Sequence, residues 1–238
     1  MFSPQRSMGQ YGTPQETVDY MVKSLLGYLD DGKQSYKILD PSTGDGIFLR
    51  SLIRSGVPPS SLVGLDIDPE IPSPHEEITF SHADFLREPN EEKYDAIIGN
   101  PPYKSKRQST YLQENKDYLS KEFQSIGIHN MYSLFIYKGL QQLKRGGVLS
   151  MIVQDSFLSN VYYKRFRKYL LQHTEIKEII LAPRRLFHKG KADVRTAILT
   201  LIKKYPSDIN PEHKMKLIDR LIDQNYFEPM DEQVQHLP

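Results

Sequence analysis

Apolar residues recur along this chain at two different periods. Val18, Met21, Val22, Leu25, Leu26 and Leu29 follow the three-and-four spacing of an amphipathic helix. The preceding Thr13-Pro14-Gln15-Glu16 predicts the helix entry. Thr13 would cap, Pro14 suits the first helical position, and Glu16 would close a capping box. Short apolar runs bounded by Gly, Pro or Asp then alternate with helical patterns. Runs at 37–40, 62–66, 78–80, 94–98, 148–153, 176–181 and 196–202 predict strands. Helices are predicted at 48–53, 131–143 and 157–171, the last of them strongly basic, with one short helix at 215–222. The alternation implies an α/β fold: a doubly wound, mostly parallel, seven-stranded sheet with helices on both faces. Ligands in such sheets bind beyond the carboxyl ends of the strands.

Two segments stand outside the alternation. Residues 104–130 form a polar insertion without clean periodicity, placed after the fourth strand and so expected to overhang the binding edge. Tyr205-Pro206 marks a boundary, which predicts a domain over 1–204 and a tail over 205–238.

Composition adds the exclusions. The 238 residues contain no Cys, which removes disulfides and thiolate zinc sites. The His residues are scattered without metal spacing and read as surface or core side chains. No apolar run approaches the roughly 20 residues a membrane helix needs, and the first residues lack the apolar stretch of a signal peptide. The expectation is a cytoplasmic protein with no membrane partner.

Charge looks uninformative as a total, at +1, but not by segment. Residues 1–100 hold 8 basic and 16 acidic side chains, residues 101–205 hold 20 and 7, and the remainder hold 3 and 7. A local excess of this size suits either a polyanion partner or a clustered solvated face.

The candidate chemistry lies at the strand ends. Asp40-Pro41-Ser42-Thr43-Gly44-Asp45-Gly46 joins the first strand to a helix. Glycines there let backbone approach a ligand, although the turn lacks the G-x-G-x-x-G of a dinucleotide site. Asp66, at the tip of the second strand, is placed to accept hydrogen bonds from ribose hydroxyls, or simply to form a turn. Asp84-Phe85 follows the third strand and suits either an adenine, held at its amino group and covered on its ring, or a core Phe beside a loop Asp. Asn100-Pro101-Pro102-Tyr103 follows the fourth. Its prolines stiffen the backbone and remove two donors, leaving carbonyl oxygens and the Asn side chain as acceptors, with Tyr103 as a flat stacking surface. The alternative is a rigid Pro-Pro turn.

With these residues in order, the sequence resembles the S-adenosylmethionine-dependent DNA adenine-N6 methyltransferases. It is closest to the group in which a cofactor motif precedes the Gly loop. The matching segments include Gly9–Pro14, Leu39–Phe48, Gly64–Pro69, Ala83–Leu86, Tyr94–Tyr103, Asn130–Leu143, Gly146–Leu158 and Phe187–Ile202, together spanning about residues 8–204. The resemblance implies a class I, Rossmann-like methyltransferase fold. It implies that Tyr11, Thr13, Asp40, Pro41, Ser42 and Gly44 hold the methionine end of the cofactor. Asp66 would take the ribose with Ile67 against the adenine, and Asp84 and Phe85 would hold and cover that adenine. Asn100, Pro101, Pro102 and Tyr103 become the catalytic motif, with Asn100 also beside the cofactor. Phe187 would stack on a flipped target base opposite Tyr103, and Lys104, Lys106, Arg107, Lys189 and Lys191 would meet phosphates. No metal is required, and the product cofactor is S-adenosylhomocysteine.

The implied partner is double-stranded DNA, and the implied setting is restriction-modification, phage defence or epigenetic control. Relatives with the same Gly loop and Asn-Pro-Pro-Tyr motif act on RNA adenine or protein glutamine, and a non-catalytic cofactor- or DNA-binding subunit is a third reading. Two departures stand out. Gln154 sits where many relatives have Pro. Only the acidic tail from Tyr205 follows where the family usually carries a target-recognition domain, so recognition is expected from a deleted domain, a separate chain or a nuclease subunit.

Overall fold

A computed structural model describes residues 12–29, 35–182, 195–210 and 212–219. The described strands are β1 (Ile38–Asp40), β2 (Leu62–Asp66), β3 (Thr79–His82), β4 (Tyr94–Gly99), β5 (Leu143–Gln154), β6 (Thr174–Leu181), β7 (Thr196–Lys203) and β8 (Lys216–Asp219). They form one sheet in the order β3-β2-β1-β4-β5-β7-β6-β8. Every pairing is parallel except those of β7, which runs antiparallel to both β5 and β6. The described helices are α1 (Gln15–Gly27), α2 (Ile47–Arg54), α3 (Thr110–Glu114), α4 (Lys116–Glu122), α5 (Met131–Gln142) and α6 (Lys164–His173).

Strand order reverses at β1. The chain winds outward to β2 and β3, then returns to add β4 and β5 on the other side. Right-handed crossovers therefore place α2 and α5 on opposite faces, and the crevice opens between β1 and β4. Strands β2 and β4 are buried along their whole length, as strands covered on both faces must be. Helix α1 packs beside α2 and reaches across the sheet. Tyr20, Ser24 and Tyr28 all donate to the buried carboxylate of Glu178 on β6, at 3.4, 2.7 and 3.2 Å.

Three expectations are corrected. The sheet has eight strands rather than seven. The eighth lies where a short helix was expected, because Met215 and Ile218 bury against the open edge of β6, whose backbone groups take a parallel partner. A short apolar run carries no period of its own, so the available edge decides. Thr13 does not cap α1: Pro14 is the N-cap residue and makes no side-chain cap bond, while the Thr13 hydroxyl is engaged elsewhere. The expected helix over 157–171 is divided. Two 3-10 turns, Asp155–Phe157 and Val161–Tyr163, precede α6, because the Asn160 side chain accepts from Tyr162 N–H and stops propagation. The polar insertion, which carried no clean periodicity, holds secondary structure of its own. Helices α3 and α4 form within it and, with the turn that follows, anchor it by burying Leu112, Leu119, Phe123 and Ile126 completely.

Candidate active site

The four strand-end motifs converge at the carboxyl edge of β1, β2, β3 and β4. Asp66 is their organiser. Its Oδ2 accepts from Gly44 N–H at 2.8 Å and its Oδ1 from Asp68 N–H at 3.0 Å. Gly44 lies at φ +51°, a conformation other residues reach only with strain. Thr43 ties the same loop to β2, its N–H donating to Leu65 O at 2.9 Å and its hydroxyl to the same oxygen at 3.1 Å. The first loop is thus held against the tip of the second strand. Asp66 is 2% exposed yet lines the cleft, and each of its oxygens keeps a lone pair for a ligand hydroxyl.

Asp40 sits deeper. It is fully buried, its Oδ1 accepts from Ser42 N–H at 3.2 Å, and its Oδ2 has no hydrogen-bond partner. Burial pushes its carboxyl up to about 8; the Ser42 N–H opposes this, and the neighbouring Asp66 and Asp45 charges add to it. Gly99 makes room for it, since a Cβ there would stand 2.9 Å from Asp40 Oδ1.

The folded chain holds a proton on Asp40 that an unfolded chain releases near pH 3.9. Asp40 therefore contributes most to stability below that value. The contribution is lost as pH rises toward 8 and is level above it. In ligand-free protein, Asp40→Asn should melt above the unaltered protein at pH 8 and show a smaller difference at pH 5. Equal differences at both pH values would contradict the assignment.

Asp84 uses both oxygens within the fold. Oδ1 accepts from Leu86 N–H at 3.0 Å and Oδ2 from the Tyr111 hydroxyl at 2.7 Å, with Arg87 Nε 3.4 Å away. Burial and the Asp84 charge raise the Tyr111 hydroxyl's pKa, so it stays a donor. Phe85 is 2% exposed, packs on Phe135 at 5.2 Å between ring centroids, and still lines the cleft. The cleft measures about 240 Å³. Pro41, Ser42, Asp66, Ile67, Asp84 and Phe85 of the strand-end loops line it together with Lys104, Ser109, Thr110 and Tyr111 of the insertion. Ile67 offers it an exposed apolar surface.

The fourth motif closes the site. Asn100 Nδ2 donates to Thr13 Oγ1 at 3.1 Å, which assigns Oδ1 as the acceptor atom of the amide. The Tyr103 hydroxyl lies on that Oδ1 and also 3.1 Å from Ile152 O. Ser42 Oγ donates to the Asn100 carbonyl at 3.4 Å, joining the first and fourth loops. Pro101 and Pro102 are buried. Tyr103 is not the open stacking surface expected from the sequence: its ring is 5% exposed because its hydroxyl is drawn inward to these two acceptors. A base reaches it only if the side chain turns out.

Two supporting residues escaped the sequence reading. Tyr111 comes from the segment without periodicity and left no signal. Asn130, in the sequence only the residue before the predicted helix, caps α5 by accepting from Tyr132 N–H at 3.3 Å. It also donates to Tyr103 O at 3.4 Å and Gln154 Oε1 at 2.9 Å, which gives Gln154 a structural use. Lys106 and Arg107 are exposed on the insertion. Tyr11, Phe187, Lys189 and Lys191 lie outside the described residues. Among the described residues no cluster of His, Cys, Asp or Glu could hold a metal ion, and no helix is long and apolar enough to cross a membrane.

A family profile for the Eco57I restriction-modification methylase matches residues 53–187, more than half of the chain and the stretch that carries Asp66, Asp84 and Asn100–Tyr103. The chain belongs to that family. Among curated relatives, the Type II methyltransferase M.HincII of Haemophilus influenzae is 36% identical over 183 residues, covering 74% of this chain and 33% of its own. M.TthHB8I of Thermus thermophilus is 32% identical over 174 residues, covering 69% and 39%. This chain spans about a third of the length of such relatives. Solved structures agree in fold. One assigned as a class I S-adenosylmethionine-dependent methyltransferase from Listeria monocytogenes has a TM-score of 0.68 at 23% identity, covering 87% of this chain and 65% of that one. The type IIG restriction endonuclease BpuSI has a TM-score of 0.70 at 20% identity, covering 89% and 27%. The fold of this Eco57I-family chain is that of the class I methyltransferases.

Proposed function

We propose that the chain is the catalytic core of an enzyme that transfers a methyl group from S-adenosylmethionine to the N6 amino group of an adenine flipped out of DNA. The observation that supports this reading is the Asn100 side chain at the end of β4, whose Nδ2 bond to Thr13 assigns Oδ1 as the acceptor atom, taken in this structure by the Tyr103 hydroxyl. Family membership supports methyl transfer in a restriction-modification setting.

The cleft suits the cofactor. Asp66 offers acceptors for ribose hydroxyls, Ile67 and Phe85 supply apolar surface, and Asp84 carries charge near an adenine amino group. The buried Asp40, with an unpartnered oxygen, sits at the end assigned to the methionine ammonium. Thr13, Pro41, Ser42 and Gly44 complete that end. S-adenosylmethionine, when bound, supplies an electrophilic methyl on a sulfonium.

The protein's task is then to expose a lone pair. The adenine amino nitrogen is a weak nucleophile because its pair is delocalised into the ring. Asn100 Oδ1 and the Pro101 carbonyl can accept its two N–H groups, favouring a pyramidal nitrogen with its pair free. This is catalysis by positioning and by fixed dipoles. The Tyr103 hydroxyl must leave Oδ1 as the amino group arrives. That outward turn gives the incoming base a ring to stack on, offsetting part of the few kcal/mol that flipping costs. The net +13 of residues 101–205 suits phosphate contact. Target recognition would come from a further domain or subunit.

The test is to incubate the protein with methyl-labelled cofactor and plasmid DNA. Label should appear as N6-methyladenine in the digested DNA. Label confined to RNA or protein added in parallel would overturn the DNA assignment.

A further inference from the structure

We infer that the Val161–Tyr162 turn is a duplex-DNA contact, in which Tyr162 enters the base stack beside the flipped target; this rests on the DNA reading above. Val161 is 77% exposed and Tyr162 70%, the two most exposed large apolar or aromatic side chains among the described residues. Their exposure is built rather than incidental. Asn160 Oδ1 accepts from Tyr162 N–H at 3.0 Å. Arg167 Nη1 donates to the carbonyls of Asn160 and Phe157, at 2.8 and 2.7 Å. The next residue, Tyr163, is buried and stacks on Tyr132 at 5.8 Å. A turn pinned on both sides and carrying two adjacent outward apolar groups is a contact surface, since single exposed apolar residues need no such support.

Its position suits DNA. The turn follows β5 at the same carboxyl edge as Asn100, and Gln154 at the end of β5 links through Asn130 to the Tyr103 carbonyl. Two basic residues, Arg165 and Lys106, act on the neighbouring His129. The His129 ring lies 6.3 Å from Tyr162, and its backbone carbonyl accepts from Lys106 N–H at 3.2 Å. Burial, with the charges of Arg165 and Lys106, holds that imidazole below its ordinary range, so positive charge converges on the patch. An apolar tip with Arg165 and Lys106 in its neighbourhood fits a polyanion whose stacked bases can be parted. Extruding one base leaves a gap that an aromatic side chain can fill.

The chain has no Trp, so Tyr162→Trp installs a single fluorophore. A matching Leu171→Trp places one on α6, at a side chain 54% exposed and near the opposite edge of the sheet. On titration with duplex DNA, most of the emission at position 162 should be lost by stacking, with that at 171 unchanged. Tyr162→Ala should weaken duplex affinity about tenfold, the size of one lost base–aromatic stack, and leave cofactor affinity unaltered. Duplex binding with unquenched emission at 162 would overturn this inference alone. Failure of the unaltered protein to bind duplex would overturn both this inference and the DNA reading.

Discussion

Replacing Asn100 with alanine should lower the rate of methyl transfer by roughly 10²–10³-fold, the cost of losing one preorganised polar group at the reacting atom, while cofactor affinity stays close to that of the unaltered protein. The structure separates the two effects. The Asn100 side chain bonds Thr13 and Tyr103, whereas the contact to the cofactor loop runs from Ser42 Oγ to the Asn100 main-chain carbonyl, which alanine keeps. Single-turnover methylation measured beside equilibrium cofactor binding checks this, and full activity in Asn100→Ala would remove Asn100 from the chemistry. The Thr13 bond gives a finer test. Thr13→Val keeps the side-chain shape but removes the acceptor for Nδ2, freeing the amide to turn its NH₂ toward the target. A loss of about tenfold in kcat is expected, the scale of one hydrogen bond, with recovery in Thr13→Ser. If Thr13 served the cofactor alone, KM for the cofactor would rise and kcat would hold.

Asp66→Ala should abolish measurable cofactor binding and lower stability together. The carboxylate accepts two backbone N–H groups, from Gly44 and Asp68. Hydrogen bonds to a charged partner contribute about 1.5–3 kcal/mol each, so the expected loss is roughly 3–6 kcal/mol, a large part of an ordinary domain's stability. A loss of that size is enough to unfold the variant, so Asp66→Asn is the informative companion. It keeps one acceptor oxygen and the shape, so the fold should survive with a reduced melting temperature. Cofactor binding, which needs acceptors for two hydroxyls, should still fall about 100-fold, the equivalent of roughly 2.7 kcal/mol. Unchanged binding in a folded Asp66→Asn protein would contradict the ribose assignment.

Local signals read well where one period or one turn decides. The runs ending in Asp40, Asp66 and Gly99 are strands within a residue or two of the expected bounds, since strands buried on both faces are continuously apolar. Signals failed where the same letters fit two local structures. Thr13-Pro14-Gln15-Glu16 reads as a capping box, but a hydroxyl bonds whichever strong partner comes nearest, and Asn100 comes nearer. Leu217-Ile218 sits on a strand because β6 offers an open edge.

What the sequence determined by itself was seven of the eight strands and the acidic and amide groups at their carboxyl ends, because strand period, turn residues and motif order are properties of neighbouring residues. What only the tertiary structure decided was how those groups are aimed. The Thr13–Asn100 bond spans 87 positions and the Tyr111–Asp84 bond 27, and Tyr103 turns inward toward a carbonyl 49 positions away. A side chain's rotamer and partner are set by packing between distant segments, and no local pattern encodes them.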